Sequence, residues 1–228
     1  GLAGNKVVDK VKVIWPDGTE SQLSKVNSNQ VVEIKQSSAS RSVSSDLSMP
    51  TKWFRDVSDE GGIDYVHVEN PFNDFDHEPL APYQLSRLGP ALASGDVNMD
   101  GTGDLFIGGA MGQAGVLYVS DGAKYRRATR QPWNADAEKE DTGATFFDVD
   151  TDGDLDLFVV SGGKEFPGGS VGLDDRLYIN EGAGKFSKAL ADATVTDHAS
   201  GSCVAAADFD KDGETDVFVG GRVSAGNF

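Results

Sequence analysis

The chain has little that would cross-link it, anchor it or draw it to a polyanion. Among 228 residues only Cys203 is a cysteine, so no disulfide can form within the chain. No apolar run approaches the ~20 residues of a membrane-spanning helix, and no signal peptide opens the sequence. Basic residues are scarce, 20 Lys and Arg against 37 Asp and Glu, for a net charge of −17. That balance argues against nucleic acid or an anionic membrane surface as a partner. Neither H-E-x-x-H nor RGD occurs, which removes the usual local signature of zincins. The glycine pairs Gly108–Gly109 and Gly162–Gly163 end apolar runs with no helical pattern behind them, so a phosphate cradle is not expected there.

What the chain does have is one acidic nonapeptide written three times. DVNMDGTGD (Asp96–Asp104), DVDTDGDLD (Asp148–Asp156) and DFDKDGETD (Asp208–Asp216) share the form D-x-[DN]-x-D-G-x-x-D. Calcium takes six to eight oxygen ligands at about 2.3–2.6 Å. A short loop supplies them when carboxylates recur at alternate residues and a glycine lets the chain fold back. Side-chain oxygens would come from Asp96, Asn98, Asp100 and Asp104; from Asp148, Asp150, Asp152 and Asp156; and from Asp208, Asp210, Asp212 and Asp216. The seventh residues, Thr102, Asp154 and Glu214, would each add a backbone carbonyl. Three Ca²⁺ sites are expected, and filling them would bring the formal charge from −17 to −11.

An EF-hand would need a bidentate glutamate at position twelve and flanking helices. Position twelve is Ile107, Val159 or Val219, inside β-branched, glycine-ended runs. The loop therefore closes on its ninth residue and leads into a strand, so a calmodulin-like switch is not expected.

The loops start 52 and 60 residues apart, and LYVSDGAKY (Leu117–Tyr125) and LYINEGAGKF (Leu177–Phe186) follow the first two as hairpin patterns. For the middle unit the expected strands are 144–149, 155–161, 176–180 and 185–189. Four short antiparallel strands per 50–60 residues, repeated, is the habit of a β-propeller blade. The fold class expected is all-β: a partial propeller with calcium loops between first and second strands, preceded by a small β module. WFRDVSDEGG (Trp53–Gly62) fits an aromatic-led fourth strand, Phe54 matching Tyr125 and Phe186, that would close a ring. The third repeat runs only to Phe228, so the rest of a parent polypeptide is expected to complete the propeller. Cys203 falls where the other repeats have Ala91 and Gly143, which reads as a buried structural thiol.

The domain reading is 1–36 for the β module, 37–50 for a serine-rich linker and 51–228 for the partial propeller. In the module, VKVIWPDGTESQL alternates around a Pro-Asp-Gly turn, QVVEIK reads as one more strand, and Ile14 and Trp15 read as core.

The three acidic loops with their FIGGA, FVVSGG and FVGGR tails resemble FG-GAP (VCBS-type) repeats, as in the integrin α-subunit propeller. VKVIWPDGTESQLSKVNSNQVVEIK looks like the C-terminal half of an ASPIC/UnbV domain. The resemblance implies a piece of a large exported bacterial protein, at the cell surface or outside the cell, and mostly without assigned activity. Asn98 departs from the aspartate of the other two loops.

Register arithmetic also locates insertions, where repeat proteins bind partners. From the fourth-strand aromatic to the next loop is 23 or 22 residues in two cases, but 42 from Phe54 to Asp96. The surplus, within 62–85, holds His67, Glu69, Asp74, Asp76, His77, Glu78 and Tyr83. It lacks a tight ligand spacing such as H-x-x-x-H and reads as solvated loop. A second insertion lies within Gly162–Asp175. The function expected is a non-enzymatic calcium-stabilised scaffold presenting loops to a protein or glycan. The alternative is a polysaccharide lyase on the same kind of propeller.

Overall fold

The computed structural model describes residues 6–41, 54–190, 193–194 and 197–222. The chain divides into two compact units, Gly1–Asp56 and Val57–Phe228.

In the first unit β1 (Val7–Ile14) and β2 (Thr19–Asn27) form an antiparallel hairpin, with Ile14 opposite Glu20 and Val7 opposite Asn27. The Pro-Asp-Gly turn makes it: Gly18 takes φ +78°, and Asp17 Oδ1 accepts from the Thr19 amide at 3.0 Å and its hydroxyl at 2.7 Å. β3 (Ser40–Arg41) pairs with β2, so residues 40–41 of the expected linker belong to this sheet. Two expectations fail here. Residues 31–35 form no strand, and Val31 is fully exposed, because no neighbouring strand accepts it among the described residues. Ile14 is 66% exposed on the uncovered face, while Trp15 is half-buried and donates Nε1–H to Ser21 Oγ at 2.9 Å.

The second unit is built of antiparallel sheets. β4 (Leu92–Gly95), β5 (Asp104–Ile107), β6 (Val116–Ser120) and β7 (Tyr125–Arg127) pair in sequence order. So do β8 (Asp141–Phe147), β9 (Asp156–Ser161), β10 (Arg176–Asn180) and β11 (Phe186–Lys188). β12 (Gly201–Ala207) and β13 (Asp216–Gly221) repeat the first two strands of a blade. Each acidic nonapeptide joins a first strand to a second. The architecture is all-β, with one helical turn at Ser58–Gly61 and short 3₁₀ turns among the described residues.

The sheets stack face to face like successive propeller blades. Phe106 and Leu117 of the first meet Leu157, Val159 and Tyr178 of the second. The second turns Phe158, Val160 and Leu177 toward Val204, Ala206 and Val219 of the third. β9 is buried along its whole length because alternate residues serve opposite neighbours. Trp133, on the 3₁₀ turn Pro132–Asp136 that links two blades, plugs the first interface. Its ring lies 5.3 Å from Phe106, 5.4 Å from Tyr178 and 5.4 Å from Phe186, in edge and tilted geometries.

Cys203 is exposed rather than buried. It points from β12 to the side away from the second blade, beside Phe218, which is 62% exposed, and that side is uncovered among the described residues. Of the strand expected at Trp53–Gly62, Trp53 lies outside the described residues, and no strand forms over 54–62. Phe54 is 92% exposed, and the chain turns through Ser58–Gly61 to Gly62 at φ +79°. Residues 54–57 belong to no strand, and a Cβ at Gly62 would meet Tyr125 O at 2.6 Å. The segment after it does repeat a feature of the second blade. Asp64 accepts from Tyr118 OH at 2.5 Å as Asp136 accepts from Tyr178 OH at 2.8 Å.

Removing the Trp133 ring should cost about 3–5 kcal/mol, since it fills a packed interface. Trp133→Ala is expected to lower the urea midpoint strongly, and an unchanged midpoint would show that the blades do not rely on this plug. Burial raises the carboxyl of Asp175 to about 6 while its Oδ1 accepts from Ser161 N at 2.9 Å. An unfolded aspartate ionises near 3.9. The folded state therefore binds the proton more tightly, and this group costs stability as pH rises from about 4 through about 6. Asp175→Asn keeps an acceptor for Ser161 and should flatten that part of the stability–pH curve without destabilising at pH 7.5.

Candidate metal centres

The three acidic loops adopt one conformation. The fourth residue is left-handed in each, Met99 at φ +58°, Thr151 at +64° and Lys211 at +66°, and so is the sixth, Gly101 at +87°, Gly153 at +97° and Gly213 at +96°. The sixth position is where glycine is required; an L side chain there would be strained. The double reversal wraps the loop around its first aspartate. Asp96 Oδ2 accepts from Gly101 N at 2.8 Å, Asp148 Oδ2 from Gly153 N at 3.0 Å and Asp208 Oδ2 from Gly213 N at 3.1 Å. The fifth aspartate in turn accepts from the seventh amide: Asp100 from Thr102 at 2.8 Å, Asp152 from Asp154 at 3.0 Å, Asp212 from Glu214 at 2.8 Å.

The ninth aspartate does more than close the loop. Asp104 and Asp156 are fully buried. One oxygen of each accepts from the second residue of its loop, Val97 N at 3.0 Å and Val149 N at 2.9 Å. The other accepts from the end of the third strand, Ser120 N and Asn180 N, both at 2.8 Å. The carboxylate thus clips loop, second strand and third strand together. Asp216 makes the first of these bonds, to Phe209 N at 2.9 Å. Burial raises the Asp104 and Asp156 carboxyls above the ordinary range, and neighbouring loop aspartates add to the rise.

Ligand-capable oxygens of Asp148, Asp150 and Asp152 all lie within 4.8 Å of one another, as do those of Asp208, Asp210 and Asp216. In the first loop Asn98 Nδ2 donates to Asp100 Oδ2 at 2.9 Å, so the amide supplies a donor where the other loops set a second anion. Thr102 also hydrogen-bonds Asp100 through its hydroxyl, which with its amide holds the Asp100 carboxyl low. Asp154 offers more than its carbonyl. Its side chain is buried, Oδ1 has no hydrogen-bond partner, and burial with the neighbouring Asp152 raises it to about 6. Like-charged oxygens packed this closely are unfavourable without a cation, and these donor sets suit a hard divalent ion.

The 62–85 insertion is less solvated than its sequence suggests. Asp74 is buried and accepts from the amides of Leu85 and Ser86, both at 3.0 Å, which makes it the insertion's own brace. Glu78 pairs with Lys164 of the second insertion. His77, exposed, stacks on Phe72 at 5.2 Å, and Asp76 is also exposed. Tyr83 accepts from Arg222 Nη2 at 3.2 Å. His67 and Glu69 are half-buried and meet Glu140, a residue the motif search passed over because it lies 71 positions from Glu69.

Residues 148–219, from the first residue of the second acidic loop to the middle of β13, match the FG-GAP-like repeat family. Residues 1–41 match ASPIC and UnbV. The two matches cover different stretches of the chain, the ASPIC and UnbV one ahead of the FG-GAP-like one. The FG-GAP match identifies the stacked sheets as propeller blades, and the loop at Asp96, outside the matched residues, repeats their geometry. No curated protein matches the chain.

Charge count is one determinant of calcium affinity. Asn98→Asp raises the first loop from three carboxylates to four, and calorimetry should show one calcium site tightening with the others unchanged. A weaker or unaltered isotherm would mean that loop geometry, not charge, ranks the sites.

Proposed function

We propose that the FG-GAP-like unit is a calcium-rigidified β-propeller scaffold, exported to the cell surface or beyond, that presents inter-strand loops to a protein or glycan partner. The observation that carries this reading is the identical wrap of all three acidic loops about their first aspartate. The proposed ions are structural, not catalytic. Each loop joins two strands of one blade, and the same arrangement recurs where three separate active sites would serve no chemistry. Supporting the scaffold role, the ninth aspartate bonds loop and third strand at once, so an ion drawn to the loop also tightens the blade. The apolar outer side of the β12–β13 sheet, with Phe218, suits a further blade packed as the second packs on the first. The two insertions meet through Glu78 and Lys164 and form the surface we assign to partner binding.

An ion that binds only the folded state adds RT ln(1 + [Ca²⁺]/Kd) per site, about 2.7 kcal/mol at a hundredfold excess over Kd. Thermal melts in millimolar Ca²⁺ should therefore lie well above melts in chelator. Superimposable curves would overturn the calcium reading.

A further inference from the structure

At the edge where the first strands begin, opposite the acidic loops, a second cluster of ligand atoms meets. His67 and Glu69 reach it from the insertion, and Glu140 from the residue before β8; their ligand atoms lie within 4.8 Å of one another. Glu140 is fully buried. Its Oε2 accepts from Met111 N at 2.7 Å, but its Oε1 has no hydrogen-bond partner, and neither does the buried Oε2 of Glu69. Glu165, from the second insertion, adds two more buried oxygens without partners. Gly163 makes room for it: a Cβ there would collide with Glu165 Oε2 and sit 3.3 Å from Glu140 Cγ. Nearby cations are engaged elsewhere, Arg176 with Asp141 at 2.6 Å and Lys164 with Glu78.

The histidine is set up as a ligand. Tyr65 OH has one proton, and its acceptors are Gly108 O at 2.7 Å and Gln113 Oε1 at 3.2 Å. Its contact of 3.0 Å with His67 Nδ1 must then be donated by the imidazole. In the neutral ring that leaves Nε2 a bare lone pair, 3.1 Å from Glu69 Oε1. Two acceptors face each other, so a positive charge belongs between them, either a proton or a metal. Two ligands held about 2.1 Å from one ion at tetrahedral or octahedral angles lie about 3.0–3.4 Å apart, which the observed separation meets. A histidine whose other nitrogen is held by a fixed partner is the usual supporting arrangement at metal sites.

We propose that His67, Glu69 and Glu140, with Glu165 beside them, bind a divalent first-row transition metal of the zinc or manganese class. The imidazole is the reason for that class. Calcium takes oxygen ligands only, whereas mixed nitrogen and carboxylate sets suit zinc, manganese and iron. A cavity of about 390 Å³ lined by Phe72, Phe166 and Glu165, among others, adjoins the cluster at Glu165. The site is separate from the acidic loops in ligands, in metal preference and in its edge of the blades.

The test titrates Zn²⁺ into the whole chain by calorimetry in excess Ca²⁺, with His67→Gln and Glu140→Gln alongside. The wild type should bind one equivalent, and each variant should lose at least about tenfold in affinity. His67→Gln lies in the insertion outside the blade sheets, so its metal-free melting curve should match wild type and exclude misfolding. A wild type without a zinc isotherm would mean that a proton alone bridges His67 and Glu69. Variants with unchanged affinity would place the zinc elsewhere. Either result overturns the proposal. Calcium binding by His67→Gln should stay intact, so this site and the calcium scaffold fail independently.

Discussion

A blade with two apolar faces cannot bury itself, and the rest of the second unit follows from that constraint. β9 shows it most plainly: Leu157 and Val159 face one neighbour while Phe158 and Val160 face the other, so the strand is continuously apolar rather than alternating. Stability is thereby spread along the stack as interfaces between adjacent repeats. Trp133 occupies the first interface from a linking turn, so a connection takes part in the core.

The stack leaves two edges for chemistry, and polar groups are sorted between them. One edge carries the turns from first to second strands, and there the acidic nonapeptides crowd their carboxylates. The buried Asp104 and Asp156 tie that edge into the blade through four backbone amides. Their burial is tolerable because every bond they accept satisfies an amide that would otherwise be orphaned where a strand ends. The opposite edge gathers residues that no repeat supplies: the insertions bring His67, Glu69 and Glu165 against Glu140. Burial, with Glu165 and Glu69 nearby, pushes the Glu140 carboxyl up to about 8, which measures how poorly that pocket tolerates another anion without a counter-charge.

The loops and the repeats were legible because they are local. A nine-residue motif contains its own turn, its glycine and its carboxylates, and three copies in register fix the strands on either side. Strand positions in the middle blade followed to within a few residues, 144–149 against Asp141–Phe147 being the largest shift. Other readings failed for the opposite reason, Ile14 as a core residue among them. Phe54, residues 31–35 and Cys203 were assigned from pattern alone, yet a strand exists only where a partner accepts its hydrogen bonds, and a side chain is buried only where a neighbour covers it.

By itself, then, the sequence determined the repeat, the blade strands and the candidate calcium ligands, since each is set by residues a few positions apart. Tertiary structure alone decided which faces are covered and that His67 and Glu69 meet Glu140, 71 positions further on. No spacing rule can announce such a cluster. Its members come from an insertion and a strand start that stack side by side only after the blades have packed.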